Sequence, residues 1–281
     1  MYTKNEPLLK YLEEKEVLVA CHRGTCGGNI CQNNRLSYIA SLLHGADMVE
    51  MDVIQSTDGV WYAYHNGTEK VNLNIDEDLR TLSSAQIDEL QYYNWIHMTS
   101  GVKVARMEDI LDEFEPKCLI NIDRAWFNDW AALIDLLSKR PNRQSVLLKS
   151  PPEPELLKAL EDAGSDVMYM PIVRSVEQWN SVKNYNINVA AVEVIFDNVD
   201  HELVQPCMFK EWEELGVIPW VNVISLGNEP RFNINAYLDD NNAIANGYDE
   251  NWGAQIRMGF KILQTDWPGL LNQYLEQRKN K

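Results

Sequence analysis

Eight short apolar runs, separated by longer amphipathic segments, constrain this 281-residue chain more than any other feature. The runs are VLVAC (17–21), DMVEMDV (47–53), CLINID (118–123), SVLLK (145–149), VMYMPIV (167–173), VAAVEVIF (189–196), VIPWVNV (217–223) and KILQTD (261–266). Near-continuous apolar runs of this length read as strands buried on both faces, as in a parallel sheet. Helical patterns fall between them at 33–44, 127–139, 153–163, 175–184, 200–214 and 236–246, with a last one at 268–278. Pro and acidic residues open several of these, as in PPEPELLKAL, and Gly164 and Gly216 suit helix C-caps. Eight strands, most followed by a helix, fit an α/β (β/α)8 TIM barrel better than an open doubly wound sheet. The absence of a GxGxxG loop also weighs against dinucleotide binding. Barrels of about 250 residues fold as one domain. The expectation is therefore a single domain over 1–281, with an insertion at about 60–106 after the second strand. That insertion holds an extra strand (VWYAY), a polar stretch and one helix, SSAQIDELQYY.

Composition narrows the function class. A 45% hydrophobic content with 9 Trp and 12 Tyr supplies a large core. The net charge of −17 argues against binding to nucleic acid or an anionic membrane, and requires a local cationic patch for any anionic substrate. No run approaches the roughly 18–20 apolar residues of a membrane span, so no stable membrane insertion is expected. The N-terminus lacks an apolar signal core, which points to a cytoplasmic protein, although prior removal of an export signal would leave the same sequence. Cys21, Cys26 and Cys31 are evenly spaced but form no CxxC pair, so reduced thiols are favoured over a zinc site. No feature specifies an oligomeric state.

The chemistry concentrates in one constellation: His22 in VACHRG, Glu50 and Asp52 in GADMVEMDV, and His65 in WYAYHNG. A strand has period two, so Glu50 and Asp52 face the same side. Buried like charges are costly without a cation between them. In a barrel, strand ends converge on one mouth, bringing His22, Glu50, Asp52, His65 and Asp123 together. The carboxylates Glu50, Asp52 and Asp123 suit a hard divalent cation, Mg2+ or Ca2+, leaving both histidines for proton transfer. Zinc held by the histidines is the competing assignment. Lys149 ends the fourth run and aims at the mouth, or else faces solvent at a loop start. Glu193 within VAAVEVIF is functional or satisfied by a neighbour such as Lys149. Trp220 and Asn222 alternate on the seventh strand and could shape a substrate pocket. Asp266 reads as a cap of the final helix, and His44, His97 and His201 as structural.

The ordered set HRG (22–24), GAD-x-x-E-x-D (45–52), TDG (57–59) and the apolar step to His65 resembles the glycerophosphodiester phosphodiesterase family. The likeness continues through Asn33, helix 35–44 and ARMEDIL (105–111), and ends with KILQTDWPGLL, covering residues 17 to 275. It implies a barrel, a divalent cation, and hydrolysis of a small-molecule glycerophosphodiester to glycerol 3-phosphate and an alcohol, within glycerol and lipid metabolism. Carried over by position, His22 and His65 become the acid–base pair, Glu50 and Asp52 metal ligands and Arg23 a phosphate contact. Three places depart from the family pattern. Gln32-Asn33-Asn34 stands for Glu-Asn-Thr. Asp123-Arg124-Ala125 stands where the family has Glu and then Lys two residues on, so Arg124 or Lys149 would supply the cation. Asn66 replaces an Asp after the second histidine. Two rival readings remain: a related lipid phosphodiesterase acting on a lysolipid or sphingolipid, and a non-catalytic phosphate-binding barrel. The acidic charge and the lack of an apolar segment count against the lipid reading.

Overall fold

Each of the eight apolar runs becomes a parallel strand, and the eight close into one (β/α)8 barrel. The structure, a computed structural model, describes residues 5–279. The barrel strands are β1 (Leu18–Cys21), β2 (Met48–Gln55), β3 (Leu119–Asp123) and β4 (Val146–Ser150). They continue as β5 (Met168–Val173), β6 (Ala191–Val194), β7 (Ile218–Asn222) and β8 (Ile262–Thr265). Closure is made by β1, which pairs with β2 on one side and β8 on the other.

The two-residue period sorts every strand into an inner and an outer set. Val19, Val49, Met51, Val53, Ile120 and Ile122 pack outward against helices, where β-branched and long apolar side chains fill the interlayer. The inward set begins with Leu18, Ala20, Met48, Leu119, Leu147, Met168 and Ile262, which fill the lower barrel. Further along the same faces stand Glu50, Asp52, Asn121, Lys149, Glu193, Asn222 and Gln264, all buried. The inner face thus turns from apolar to charged toward the C-terminal strand ends.

Helix ends follow local chemistry. Asn34 caps the helix Arg35–Leu43, its side chain accepting from Leu36 N at 2.8 Å and Ser37 N at 3.3 Å. Pro154 and Pro206 open their helices, and Gly164 and Gly216 close them in the left-handed region. Gly24 of HRG is required by close approach: a Cβ there would lie 2.8 Å from the Ser37 backbone carbon.

Three elements differ from expectation. The acidic N-terminus forms a helix, Glu6–Glu14, whose Leu8 is buried among the lower-barrel residues and closes that end. A second helix precedes β8, Trp252–Met258, with Trp252 wholly buried. In the insertion, SSAQIDELQYY gives only the single turn Ser84–Ile87, and Gln91–Tyr93 then pairs antiparallel with Thr99–Lys103. The turn-rich sequence between these short pieces favours a hairpin over a continued helix. Trp61–Ala63 pairs antiparallel with the end of β2, and Ala105–Arg106 pairs with it in turn. The insertion has its own small core around Tyr62, Tyr64, Leu79, Ile87 and Tyr92. Among the described residues, no helix is long and apolar enough to cross a membrane.

Candidate active site

Register places the acidic groups. Glu50 lies opposite Asn121, and Asp52 opposite Asp123, across the β2–β3 pair. One oxygen from each of Glu50, Asp52 and Asp123 falls within 4.8 Å of the others, the one such group of metal-ligand type among the described residues. Cys21 is buried, Cys26 exposed and Cys31 intermediate, all free thiols outside that group.

The surroundings of the three acids are unequal. Asp52 accepts from Asn33 Nδ2 at 3.0 Å and lies 2.9 Å from Arg23 Nε. Burial raises its pKa, but Arg23, His65, His22 and the Asn33 amide outweigh that and hold it below the usual range. Asn33 is itself fixed: it sits at φ 51°, accepts from Tyr38 at 3.1 Å, and receives the Asp52 amide at 3.2 Å. Asp123 accepts from the Arg124 amide at 2.6 Å and lies 2.8 Å from Lys149 Nζ. Glu50 fares worst. It accepts from Arg23 N at 2.8 Å through Oε2, while Oε1 is buried with no partner. Burial first, then Asp52 and Asp123, push its pKa well above the carboxylate range. A buried acid with an open oxygen, facing two more carboxylates, fits a hard divalent cation.

Two histidines flank this group. His22 follows β1, and Asp266 follows its register neighbour β8, where Cys21 pairs with Thr265. His22 Nδ1 consequently donates to Asp266 Oδ1 at 2.8 Å, leaving Nε2 as the other ring atom available. Asp266, expected as a helix cap, is engaged by this histidine through Oδ1. Asp240, at the start of the helix Asp240–Asn246, accepts from Asp266 N at 2.8 Å and Thr265 Oγ1 at 2.9 Å. His65 lies two residues beyond Trp61–Ala63. Its Nδ1 is buried without a hydrogen-bond partner, and burial lowers its pKa to about 4 despite the pull of Asp52. The ring is therefore neutral at neutral pH.

A second chain of bonds crosses the barrel. Lys149, wholly inside the barrel, lies 2.8 Å from Asp123 and donates to Glu193 Oε2 at 3.0 Å. Burial works against its charge, but Asp123, Glu193 and Glu50 outweigh that and raise its pKa. Asn222 donates to Glu193 Oε1 at 2.9 Å and accepts from Trp220 Nε1 at 2.7 Å. Trp220 is wholly buried under this layer, its ring centre 5.8 Å from Lys149 Nζ, and does not reach the mouth surface. Arg124, at φ 63°, donates to Asn66 Oδ1 at 3.1 and 2.8 Å and so ties the end of β3 to the His65 loop. His22, Arg23, Glu50, Asp52, His65, Asp123, Lys149 and Glu193 thus meet in one region, whereas Trp220 lies beneath it.

Several solved structures share this barrel. A glycerophosphoryl diester phosphodiesterase from Parabacteroides distasonis superposes with a TM-score of 0.72 at 14% identity, over 99% of this chain and 93% of that one. One from Agrobacterium tumefaciens gives 0.66 at 18% identity, over 90% and 98%. The fold is that of the glycerophosphodiester phosphodiesterases. A phosphodiesterase from Oleispira antarctica, solved with the product sn-glycerol-3-phosphate, gives 0.65 at 13% identity, over 92% and 96%. Residues 169–275 match a family model described as a domain of unknown function. A search of curated proteins returns no match.

Proposed function

We propose that the protein is a divalent-cation-dependent phosphodiesterase that hydrolyses glycerophosphodiesters to glycerol 3-phosphate and an alcohol. The observation that carries this reading is the pairing of a three-carboxylate cluster with two histidines at the C-terminal mouth of the barrel, the face on which barrel enzymes build their sites. The fold shared with phosphodiesterases raises its standing. The open Glu50 oxygen and the hard-oxygen donor set favour Glu50, Asp52 and Asp123 as ligands of Mg2+ or Ca2+. When bound, such a cation would offset charge on the phosphodiester and on the buried acids.

The chain's own residues divide the remaining work. Arg23 presents a guanidinium beside Asp52 and is the group best placed to pair with a nonbridging phosphate oxygen. His65, neutral and with a free Nδ1, suits removal of the proton from the nucleophile, a water or the glycerol 2-hydroxyl. His22, oriented through Nδ1 by Asp266, suits proton delivery to the departing alkoxide through Nε2. Lys149 and Glu193 hold Asp123 in place and set the polar floor.

The test is glycerol 3-phosphate release from glycerophosphodiesters, with Mg2+, Ca2+ or chelator. His22→Ala and His65→Ala should each cut turnover by roughly 10²-fold or more. Near-normal rates in both variants, or activity indifferent to chelation, would refute the reading.

A further inference from the structure

The loop after β1 folds back on itself over residues 23–33. Gly27 and Ile30 exchange both of their backbone hydrogen bonds, Gly27 N to Ile30 O at 2.9 Å and Ile30 N to Gly27 O at 3.0 Å. Between them Gly28, at φ 57°, takes the first central position of the turn, where a positive φ favours glycine. Gly27 and Ile30 are thus the closing pair of a two-residue hairpin, and the next pair outward is Cys26 with Cys31. That position is a non-hydrogen-bonded one, at which facing Cα atoms stand about 4.5 Å apart and the side chains lie close. A disulfide spans Cα separations of about 4.4–6.8 Å. The stems are tied again further out, where Asn33 N donates to Arg23 O at 2.8 Å, so backbone bonds bracket the two cysteines on both sides.

Both thiols are free, and both line the groove of about 540 Å3 that runs between this loop and the insertion. Cys26 is exposed, and Cys31 is partly buried with its Sγ donating to Tyr93 O at 3.6 Å. Cys21 and Cys118 are buried, and Cys207 is exposed elsewhere, on the helix Pro206–Leu215. Desolvation raises the pKa of both Cys26 and Cys31; Asp266 adds to the rise at Cys26, Arg23 opposes it and Cys31 contributes a smaller increase. Both are therefore protonated thiols at neutral pH, and what sets this pair apart is its juxtaposition rather than a reactive thiolate.

We propose that Cys26 and Cys31 are a covalent modification site, a dithiol that closes into a disulfide and fastens the loop presenting Arg23 and Asn33 to the acidic cluster. The oxidant is a small-molecule disulfide. The Cys26 thiolate attacks one of its sulfurs and expels the first thiolate, and the Cys31 thiolate then attacks Cys26 Sγ and expels the second. The cysteines give up two protons and two electrons, and the oxidant leaves as two thiols. Closure removes the Cys31 bond to Tyr93 O, the loss of a weak donor. The stems of the closed ring run directly into the site. Arg23 Nη1 donates to Gln32 Oε1 at 3.4 Å, and Asn33 Nδ2 donates to Asp52 at 3.0 Å. A cross-linked hairpin leaves those stems less freedom and pre-organises Arg23 for an anion. This consequence rests on the phosphodiesterase reading of Arg23; the cross-link itself does not.

The experiment equilibrates the full chain in glutathione buffers of increasing oxidised fraction at mildly alkaline pH, then quenches with acid, alkylates and digests with trypsin. Residues 24–35 form one tryptic peptide that carries both cysteines. That peptide should lose both alkylation sites and appear lighter by two hydrogens. In Cys31→Ser, Cys26 should instead be held as its mixed disulfide with glutathione, and Cys207→Ser should leave the peptide's behaviour unchanged. Calorimetric titration with inorganic phosphate in the presence of Mg2+ should give a Kd roughly two- to fivefold lower for the oxidised than for the reduced wild type, a difference absent in Cys31→Ser. A peptide that stays doubly alkylated in fully oxidised glutathione, or that carries glutathione on both cysteines without a ring, would overturn the pair. A ring that forms while phosphate affinity stays the same would overturn its action on Arg23. Ring formation in a wild type that turns over no phosphodiester would sink the hydrolytic reading and leave the modification site standing.

Discussion

At the scale of single residues, Glu50 sets stability against chemistry. Its carboxyl is wholly buried, one oxygen has no partner, and Asp52 and Asp123 face it. With its pKa held well above the carboxylate range, folding of the cation-free protein at neutral pH must bind a proton that the unfolded chain does not hold, a cost that a neutral Gln escapes. Glu50→Gln should therefore raise the melting temperature of the chelated protein by several degrees while abolishing cation-dependent hydrolysis, a pair of changes that calorimetry and the glycerol 3-phosphate assay read separately. Asp266 lies 2.8 Å from His22 Nδ1, so under the proposed mechanism it would act through that ring rather than on substrate. Asp266→Asn should lower kcat by roughly 10²-fold and leave KM within a few-fold, because the ring loses a charged, acceptor-only partner and an amide N–H can hold the other tautomer; a matched rise in KM would instead mean a binding role. The parity of β2 made Glu50 and Asp52 visible in the sequence, since two carboxylates two apart in an apolar run face one way. The contact of Asp266 with His22 was invisible there. Its partner lies 244 positions away, and the two meet only because β8 closes the barrel onto β1.

At the scale of elements, the helix Asp240–Asn246 braces the loop that carries Asp266. Asp240 takes hydrogen bonds from Thr265, the Asp266 amide and Trp252 Nε1, yet burial and then the neighbouring Asp266 raise its pKa from 3.8 to about 7, against the lowering effect of those hydrogen bonds. The folded protein thus binds a proton that the unfolded chain releases between those two values. Its contribution to stability is complete below about pH 4 and is lost as pH rises through about 7. The loss could reach about 4 kcal/mol at most. Urea unfolding followed from pH 4 to 8 should show this decline in wild type and a shallower one in Asp240→Asn; equal slopes would assign the pH dependence elsewhere. All eight barrel strands were legible as apolar runs because both of their faces are buried. The insertion's place and its extra strand were legible too, but its one-turn helix and short hairpin were not, because they owe their form to local hydrogen bonds and a small separate core. Helix Glu6–Glu14 escaped notice for a related reason: its acidic surface masks the one face, at Leu8, that plugs the barrel.

At the scale of the whole molecule, the question is which electrostatic field an anionic diester meets. Near the mouth, five carboxylates (Glu50, Asp52, Asp123, Glu193, Asp266) face three cations (Arg23, Arg124, Lys149), and a bound divalent ion would bring that region close to neutrality. The far field is then set by the rest of the chain, which carries −15 of the net −17 once the five acids and three cations of the mouth (−2) are set aside. Lys149 cannot offset it at long range, because its charge is compensated within the barrel by Asp123 and Glu193. An approaching phosphodiester therefore climbs a repulsive potential before Arg23 can attract it at contact. Added salt shortens the range of that repulsion, to a Debye length of about 8 Å at physiological ionic strength and about 3 Å at 1 M. The Arg23 contact is partly buried and less screened. Raising ionic strength from about 0.01 to 0.15 M should accordingly increase kcat/KM for anionic diesters by up to roughly tenfold, through KM rather than kcat. A net-neutral diester such as glycerophosphocholine should respond less, since its far field is weaker. A kcat/KM that falls with salt for the anionic substrate would mean that the local cations, not the acidic surface, govern its approach.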